Sequence, residues 1–334
     1  MLKNDMKRIL IIGQKSTYII KSFEKIDEYL VEFIYIEKKV VSFVEKFFNK
    51  LRIPLDTDSL NKKILEKVKV FSPKTIILVG QFPNNILLPK TLKKLKNKNK
   101  DIRIFSWTPD NMIKKHNSSI YFEKSIPLYD IHFTTKSNII DKMYSMGAKK
   151  TVFLNQAYST YDHFPEKINP IFDYNVLFIG SSEIDRYESM CYLAKNGIKV
   201  NIFGNAWSSY KEIQNLKIHK RPLIGEDFRK AITSSKISIC FLRKINDDLQ
   251  TTRSFEIPAC RGFMIAERTK EHLKLFEENE EAVFFSNNNE LLEKVKFYLK
   301  REKLRNNISE NGYKKVTKFN HHYDDMIKKI LAHS

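Results

Sequence analysis

Asn175-Val176-Leu177-Phe178-Ile179-Gly180-Ser181-Ser182 decides how the chain is read. An apolar run of β-branched and aromatic residues closed by glycine reads as a strand buried on both faces that ends in a turn. The same signature opens the chain at Arg8-Ile9-Leu10-Ile11-Ile12-Gly13. Between the two, strands are expected over residues 31–36, 75–80, 102–107, 131–135 and 151–154. Helical spacing fills the intervals. Val40, Val44, Phe47, Phe48 and Leu51 share one face, as do Leu60, Ile64 and Val68. Ile139, Ile140, Met143 and Met146 mark another helix, closed by Gly147. Residues 165–173, weakly periodic and containing proline, read as a linker. Beyond Gly180 the alternation resumes. A helix over 183–196 precedes strand 199–203 and Gly204, and strand 236–241 precedes a helix over 253–260. Strands 263–266 and 283–285 follow, then helices over 289–300, 302–318 and 323–331. Strands alternating with helices build a mostly parallel sheet covered on both sides. Two such series with a linker between them predict an α/β protein of two Rossmann-like, doubly wound domains facing a cleft. Such sheets bind ligands at the carboxyl ends of their strands.

The composition narrows the classes. The chain has 334 residues, enough for two domains with a core in each. Hydrophobic content is 42%, and nine glycines and ten prolines are too few for a fibrous or low-complexity chain. The longest uncharged stretch, residues 75–89, is too short and too polar to span a bilayer. The first residues, Met1-Leu2-Lys3-Asn4-Asp5, lack the pattern of a signal peptide, so a cytoplasmic location is expected. Cys191, Cys240 and Cys260 are too far apart for a disulfide framework or a zinc site, and they read as reduced thiols. No metal site is expected.

Lys and Arg number 59 against 39 Asp and Glu, a net charge of +20. That excess suits a polyanionic partner: phosphate groups, nucleic acid or an anionic membrane surface touched peripherally. It also suits a coding sequence rich in Lys, Asn and Ile. The densest run, Lys90, Lys93, Lys94, Lys96, Lys98, Lys100 and Arg103, reads first as a solvated helix end and loop.

No G-x-G-x-x-G, P-loop or G-x-S-x-G pattern occurs, which disfavours the common dinucleotide oxidoreductases, P-loop NTPases and esterases. Gly180-Ser181-Ser182 with Arg186 one turn on can cradle a phosphate at a helix start, or be an N-capped helix with a surface arginine. A second cluster runs from Asp247 to Phe263. Thr252 and Arg253 open its helix, where an anion is favoured, and Pro258 lies early in it. Glu256 can accept hydrogen bonds from a ribose diol or simply complement the helix dipole. Trp107-Thr108-Pro109-Asp110-Asn111 follows a strand, with His116 soon after. Asp110 and His116 are placed for substrate contact or base catalysis, or the segment is a turn shaped by Pro-Asp-Asn.

Together these pieces resemble the CgeB-like, spore-maturation type of glycosyltransferase, over about residues 102–316. The first half contributes Trp107 to Asn111, Asn117-Ser118-Ser119, residues 129–136, Gly147-Ala148 and residues 153–165. The second contributes residues 176–181, Phe203-Gly204-Asn205-Ala206-Trp207, residues 252–260, 263–269 and 281–285. The most specific stretch is Arg253-Ser254-Phe255-Glu256-Ile257-Pro258-Ala259-Cys260. The resemblance implies a GT-B fold with a glycosyl transferases group 1-like C-terminal domain. It implies transfer of a sugar from a nucleotide-diphosphate donor to a glycan, lipid-linked or protein acceptor. It divides the chain into an acceptor-side domain, 1–168, a nucleotide-sugar domain, 169–318, and a final helix, 319–334, crossing back to the first domain. A related retaining group carries two acids eight positions apart, which fall here on Asp248 and Glu256. Arg261 stands where that family has glycine or another small residue.

The donor diphosphate leaves carrying negative charge, so cations and helix N-termini can lower the barrier without a metal or other cofactor. Gly180, Ser181, Arg186, Gly204, Asn205, Arg243, Asp248, Thr252, Arg253 and Glu256 are the nucleotide-sugar candidates, with Lys244 in reserve. Asp110 and His116 are the acceptor-side candidates. The alternatives on the same frame are a nucleic-acid-binding protein, for which no recognition motif is visible, and a nucleotide-sugar epimerase.

Overall fold

The computed structural model describes residues 6–15, 17–36, 42–52, 58–80, 87–319 and 321–334. Val40 and the first five residues of the sequence reading lie outside them. Two compact units result: Met1–Asn155 with Tyr323–Ser334, and Gln156–His322. Residues 156–168, read from sequence with the first domain, fold with the second. The Gln156 amide donates to Gln250 Oε1 (3.0 Å), and Arg229 pairs with Glu166 at 2.7 Å.

In the first unit the order is β1 (Arg8–Gly13), α1 (Tyr18–Phe23), β2 (Leu30–Tyr35), α2 (Phe43–Lys50), α3 (Asp58–Phe71) and β3 (Thr75–Val79). It continues with α4 (Pro89–Lys98), β4 (Arg103–Thr108), α5 (Ile120–Ser125), β5 (Ile131–Thr134), α6 (Ile140–Ser145) and β6 (Thr151–Phe153). The sheet is parallel in the order β2-β1-β3-β4-β5-β6. Alternation of side chains sends Leu10, Ile12, Ile76 and Leu78 to one face, where Ile64 of α3 and Leu92 and Leu95 of α4 cover them. The lysine run lies mostly on α4. Pro89 occupies a first-turn position, Thr91, Leu92 and Leu95 turn inward, and Lys96 reaches Asp130 and the Ile102 carbonyl. One expectation fails: the apolar face carrying Val44, Phe47 and Leu51 stands in solvent rather than on the core.

The second unit holds β7 (Val176–Ile179), α7 (Ile184–Lys195), β8 (Val200–Phe203), β9 (Leu216–Ile218), α8 (Gly225–Ser234) and β10 (Ser238–Cys240). Then come α9 (Arg253–Ala259), β11 (Met264–Glu267), α10 (Lys270–Leu275), β12 (Val283–Phe285), α11 (Asn288–Leu299) and α12 (Glu302–Lys318). This sheet is also parallel, in the order β12-β11-β10-β7-β8-β9. Val176 and Phe178 point to the α7–α11 side, Leu177 and Ile179 to the α8–α9 side. Strand β9 escapes sequence reading because it is three residues long with an exposed lysine at its centre. The final helix, α13 (Tyr323–Leu331), packs within the first unit against α1, with the Tyr18 and Tyr323 rings 5.9 Å apart.

Helix α9 ends in a paired-bond C-cap: Gly262 N–H donates to Ile257 O (3.0 Å) and Arg261 N–H to Pro258 O (2.8 Å). Arg261 is left-handed (φ 56°) there, which explains why a glycine suits the position in the resembling family. Its guanidinium pairs with Glu310 at 3.0 Å and lies 4.5 Å from the Tyr313 ring centroid. Pro258 falls in the last turn of this seven-residue helix, not early, because the helix ends at Ala259, one residue after it. Cys240 and Cys260 are buried, and burial pushes the Cys240 thiol up to about 12.

His132 carries a testable consequence. It is buried on β5, with Nδ1 2.6 Å from Ser106 Oγ and Nε2 2.9 Å from Ile126 O. Burial pushes its pKa down to about 4. The unfolded chain therefore takes up the proton first, so stability is complete above about pH 6.5 and falls as pH drops toward 4. We expect denaturant midpoints to show a loss of about 2–3 kcal/mol between pH 7 and pH 4.5 from this group alone. His132→Gln should flatten that slope; an unchanged slope would contradict the account.

Candidate functional site

In the second sheet β7 lies between β8 and β10, so the winding reverses between β7 and β10. A crevice opens at the carboxyl ends of such a strand pair. Gly180 ends β7 and Phe241-Leu242-Arg243 follow β10. The Gly180 turn is stitched to the turn after β8. Gly180 N–H donates to Phe203 O (2.9 Å), and Trp207 Nε1 donates to Gly180 O (2.8 Å). Ser182 N–H donates to Asn205 O (3.1 Å) and its hydroxyl to Ala206 O (2.7 Å). Gly204 (φ 150°) makes this possible, since a Cβ there would lie 1.9 Å from Gly180 O. Gly204 and Asn205 thus shape the Gly180 turn, and Asn205 itself is exposed. Glu183, not Ser182, is the residue preceding α7, because the Ser182 hydroxyl is already committed to Ala206.

Four cationic side chains gather around this turn. Arg186 is 5% exposed; its Nη1 donates to Ser181 O (2.8 Å), and its Nη2 lies 3.5 Å from Glu183 Oε1. Its Nε is buried with no hydrogen-bond partner. Burial pushes its pKa down, although Glu183 pulls the other way. Arg243 Nε lies 3.5 Å from the same Glu183 oxygen, and Lys244 pairs with Asp185. Glu267, raised by burial, accepts from Leu242 N–H. A cavity of about 330 Å³ opens among Arg186, Lys244, Glu183, Glu267, Phe241 and Phe285. The arrangement can bind an anion by displacing Glu183 from the two arginines.

Arg253, the fourth cation, joins α9 to β7 through a 3.1 Å hydrogen bond from Nε to Ile179 O. Its guanidinium pairs with Glu256 and lies 4.5 Å from the Phe228 ring centroid. Glu256 is 2% exposed, so the carboxylate is held inside by that pairing. His163 Nε2 stands 3.6 Å from Glu256 Oε1. Ser159 N–H donates to His163 Nδ1 (3.1 Å), which puts the ring proton on Nε2, facing the carboxylate. Burial pushes His163 down, so the ring is neutral at pH 7. Thr252 immediately precedes α9, and its carbonyl accepts from Phe255 and Glu256 N–H. Asp248 sits on the loop after β10, accepting from Asn246 Nδ2 at 2.7 Å, with its N–H donating to Arg243 O.

The structure thus brings Gly180, Ser181, Arg186 and Arg243 to one crevice and ties Arg253 and Glu256 to it through β7. Asp110 and His116 lie in the first unit, on the loop after β4. Asp110 is half-buried, its N–H donating to Thr108 Oγ1 (3.2 Å), and His116 is exposed. Asn111 is the turn-shaping residue: its Oδ1 accepts from Ile113 N–H and its carbonyl from Asn117 Nδ2. Among the described residues no three His, Cys, Asp or Glu side chains converge as metal ligands.

Sequence reading missed Glu183 and Glu267 and assigned no role to His163. Glu183 adjoins the Gly-Ser-Ser turn and Glu267 ends a strand, two positions that a search for strand-end acids would find. His163 has no such signal, because its approach to Glu256 spans 93 residues of chain.

Residues 186–332 match the family model described as glycosyl transferase-like, 147 of the 334 residues. No curated protein sequence matches the chain. Sucrose-phosphate synthase from Thermosynechococcus elongatus superposes with a TM-score of 0.68 at 8% identity, covering 98% of this chain and 100% of that one. Anabaena Alr3699/HepE, solved in complex with UDP, does so with 0.64 at 10%, covering 98% and 100%. An alpha-glucosyltransferase in complex with UDP and a 13-mer DNA containing a HMU base gives 0.66 at 13%, covering 98% of each. At these identities the likeness shows the fold, and the chain has the GT-B architecture of two Rossmann-like parallel sheets.

Proposed function

We propose that this protein is a metal-independent glycosyltransferase. It would transfer a sugar from a nucleotide-diphosphate donor to a glycan, lipid-linked or protein acceptor. The observation that carries the reading is Arg186, a buried guanidinium with an unpartnered Nε beside a strand-end turn at the switch point. The glycosyl transferase-like match begins at this residue and runs through Arg243, Arg253 and Glu256. Two of the three structures named above were solved with UDP, which supports a nucleotide ligand.

In this reading the turn at Gly180 presents the Ser181 backbone amide to the diphosphate, while the Gly180 amide stays bonded to Phe203 O, and Arg186, Arg243 and Arg253 take up its charge as the glycosidic bond breaks. Lys244 stands behind them. Charge aimed at the leaving oxygen lowers the barrier only as that charge develops. Glu256 accepts from the ribose diol while Arg253 divides its guanidinium between carboxylate and phosphate. Thr252 and Asp248 flank the donor, and Gly204 and Asn205 keep the Gly180 turn in shape. Asp110 or His116 contacts the acceptor.

Thermal shifts against UDP, GDP, ADP and CDP, and their sugar conjugates, test this. One nucleoside diphosphate should raise the Tm in proportion to the logarithm of its concentration, undiminished by excess EDTA. Arg186→Ala should abolish the shift. No response to any nucleotide would overturn the reading, and a response lost reversibly to EDTA would overturn its metal-free part.

A further inference from the structure

Helix α2 is amphipathic in the wrong direction for a water-soluble unit. At 3.6 residues per turn Phe43, Val44, Phe47, Phe48 and Leu51 occupy an arc of about 140°, with Glu45 on the far side and Lys50 flanking the arc beside Phe43. Such an arc ordinarily faces a core. Here Phe43 is 86% exposed, Val44 57%, Phe47 56% and Leu51 52%. The helix is tethered at its C-terminal end instead. Ile120 N–H donates to Arg52 O (3.1 Å), Arg52 Nη2 lies 3.5 Å from Ser118 Oγ, and Arg52 pairs with Glu123. Ser118 closes the loop that carries Asp110, Lys114, Lys115 and His116, so the apolar arc adjoins the loop read as the acceptor side.

Charge separates the units in the same sense. The first holds 32 Lys and Arg against 17 Asp and Glu, a net +15; the second holds 27 against 22, a net +5. Bare apolar arc and concentrated positive charge meet one partner chemistry, an anionic lipid surface. The hydrocarbon edge takes the side chains and the phosphates take the lysines. Nucleic acid matches the charge and could stack on the phenylalanines, but it offers nothing to Val44 and Leu51. We propose that α2 seats the first unit on an anionic membrane surface, its apolar arc in the boundary between headgroups and acyl chains, presenting the loop of residues 109–119 to that surface. The acceptor role of the loop rests on the proposed function. The membrane contact does not, since vesicle binding needs no donor and fails or succeeds independently of nucleotide binding.

Vesicle flotation of the full chain tests the contact, with phosphatidylglycerol–phosphatidylcholine mixtures against pure phosphatidylcholine at physiological salt. The wild type should partition at least tenfold more strongly onto the anionic vesicles. Phe43→Glu with Phe47→Glu, both exposed, should lower that partition at least tenfold and leave the Tm and any nucleotide-induced shift unchanged. Phe47→Trp should show blue-shifted emission on anionic vesicles. Absence of wild-type binding, or equal binding by the double variant, would overturn the proposal. So would an oligonucleotide bound as tightly as the vesicles and lost in the same variant, which would assign the face to nucleic acid.

Discussion

Arg253→Ala should lower turnover by about 10²–10³-fold, the scale of losing one preorganised donor to developing charge. It should also lower the Tm, because Glu256 is 2% exposed and would lose the guanidinium it pairs with inside the protein. Removing one partner of a buried ion pair costs 3–5 kcal/mol. The Arg253 side chain is 28% exposed, so solvent reduces this to about 2–4 kcal/mol, or roughly 5–12 °C in a unit of this size. A merely structural arginine would produce the second effect without the first. The double variant Arg253→Ala with Glu256→Gln separates them: removing the stranded charge should restore much of the Tm, while turnover stays low. Recovery of turnover in that double variant would reduce Arg253 to a structural role and remove it from the proposed mechanism. Arg253→Lys should keep part of the binding but lose the hydrogen bond to Ile179 O.

Gly204→Ala should be among the most damaging single-atom additions in the second unit. Gly204 has φ 150°, and its added Cβ would stand 1.9 Å from Gly180 O and 2.6 Å from Gly180 C. Both obstacles are backbone and cannot rotate aside. The strand ends must separate, which breaks the Trp207–Gly180 hydrogen bond and moves the turn proposed to meet the diphosphate. We expect a loss of about 3 kcal/mol or more, since overpacking and a forbidden backbone conformation act together. Urea denaturation checks it, and a midpoint within error of wild type would show that the turn can relax. Gly197→Ala provides the control. Gly197 also has positive φ, at 85°, but no atom lies within 4 Å of its Cβ position. Its cost should stay near the 1–2 kcal/mol of left-handed strain alone.

Much of the fold was legible because it rests on local periodicity. The runs at Arg8, Thr75 and Val176 are apolar without a break, and only a strand covered on both faces uses such a run. Strand β9 was not legible, because three residues with a central lysine carry no such contrast. The helix at residues 43–50 was legible as a helix, but its apolar spacing says nothing about whether a core stands opposite. The candidate site divided in the same way. Arg186, Arg253 and Glu256 stand out beside a strand-end turn or a helix start. Glu183 and His163 do not, because each matters only through residues that folding brings beside it.

The order of strands and helices, the glycine-closed turns and the surplus of positive charge are properties of the linear chain, since short-range sterics and hydrophobic spacing determine them. Which charges neutralise which was decided by tertiary structure. Glu183 bridges Arg186 to Arg243, Glu256 is held by Arg253, and the apolar arc of the helix at residues 43–50 is left uncovered. These are through-space relations among residues up to 60 positions apart, and their strength depends on burial, which no linear pattern encodes.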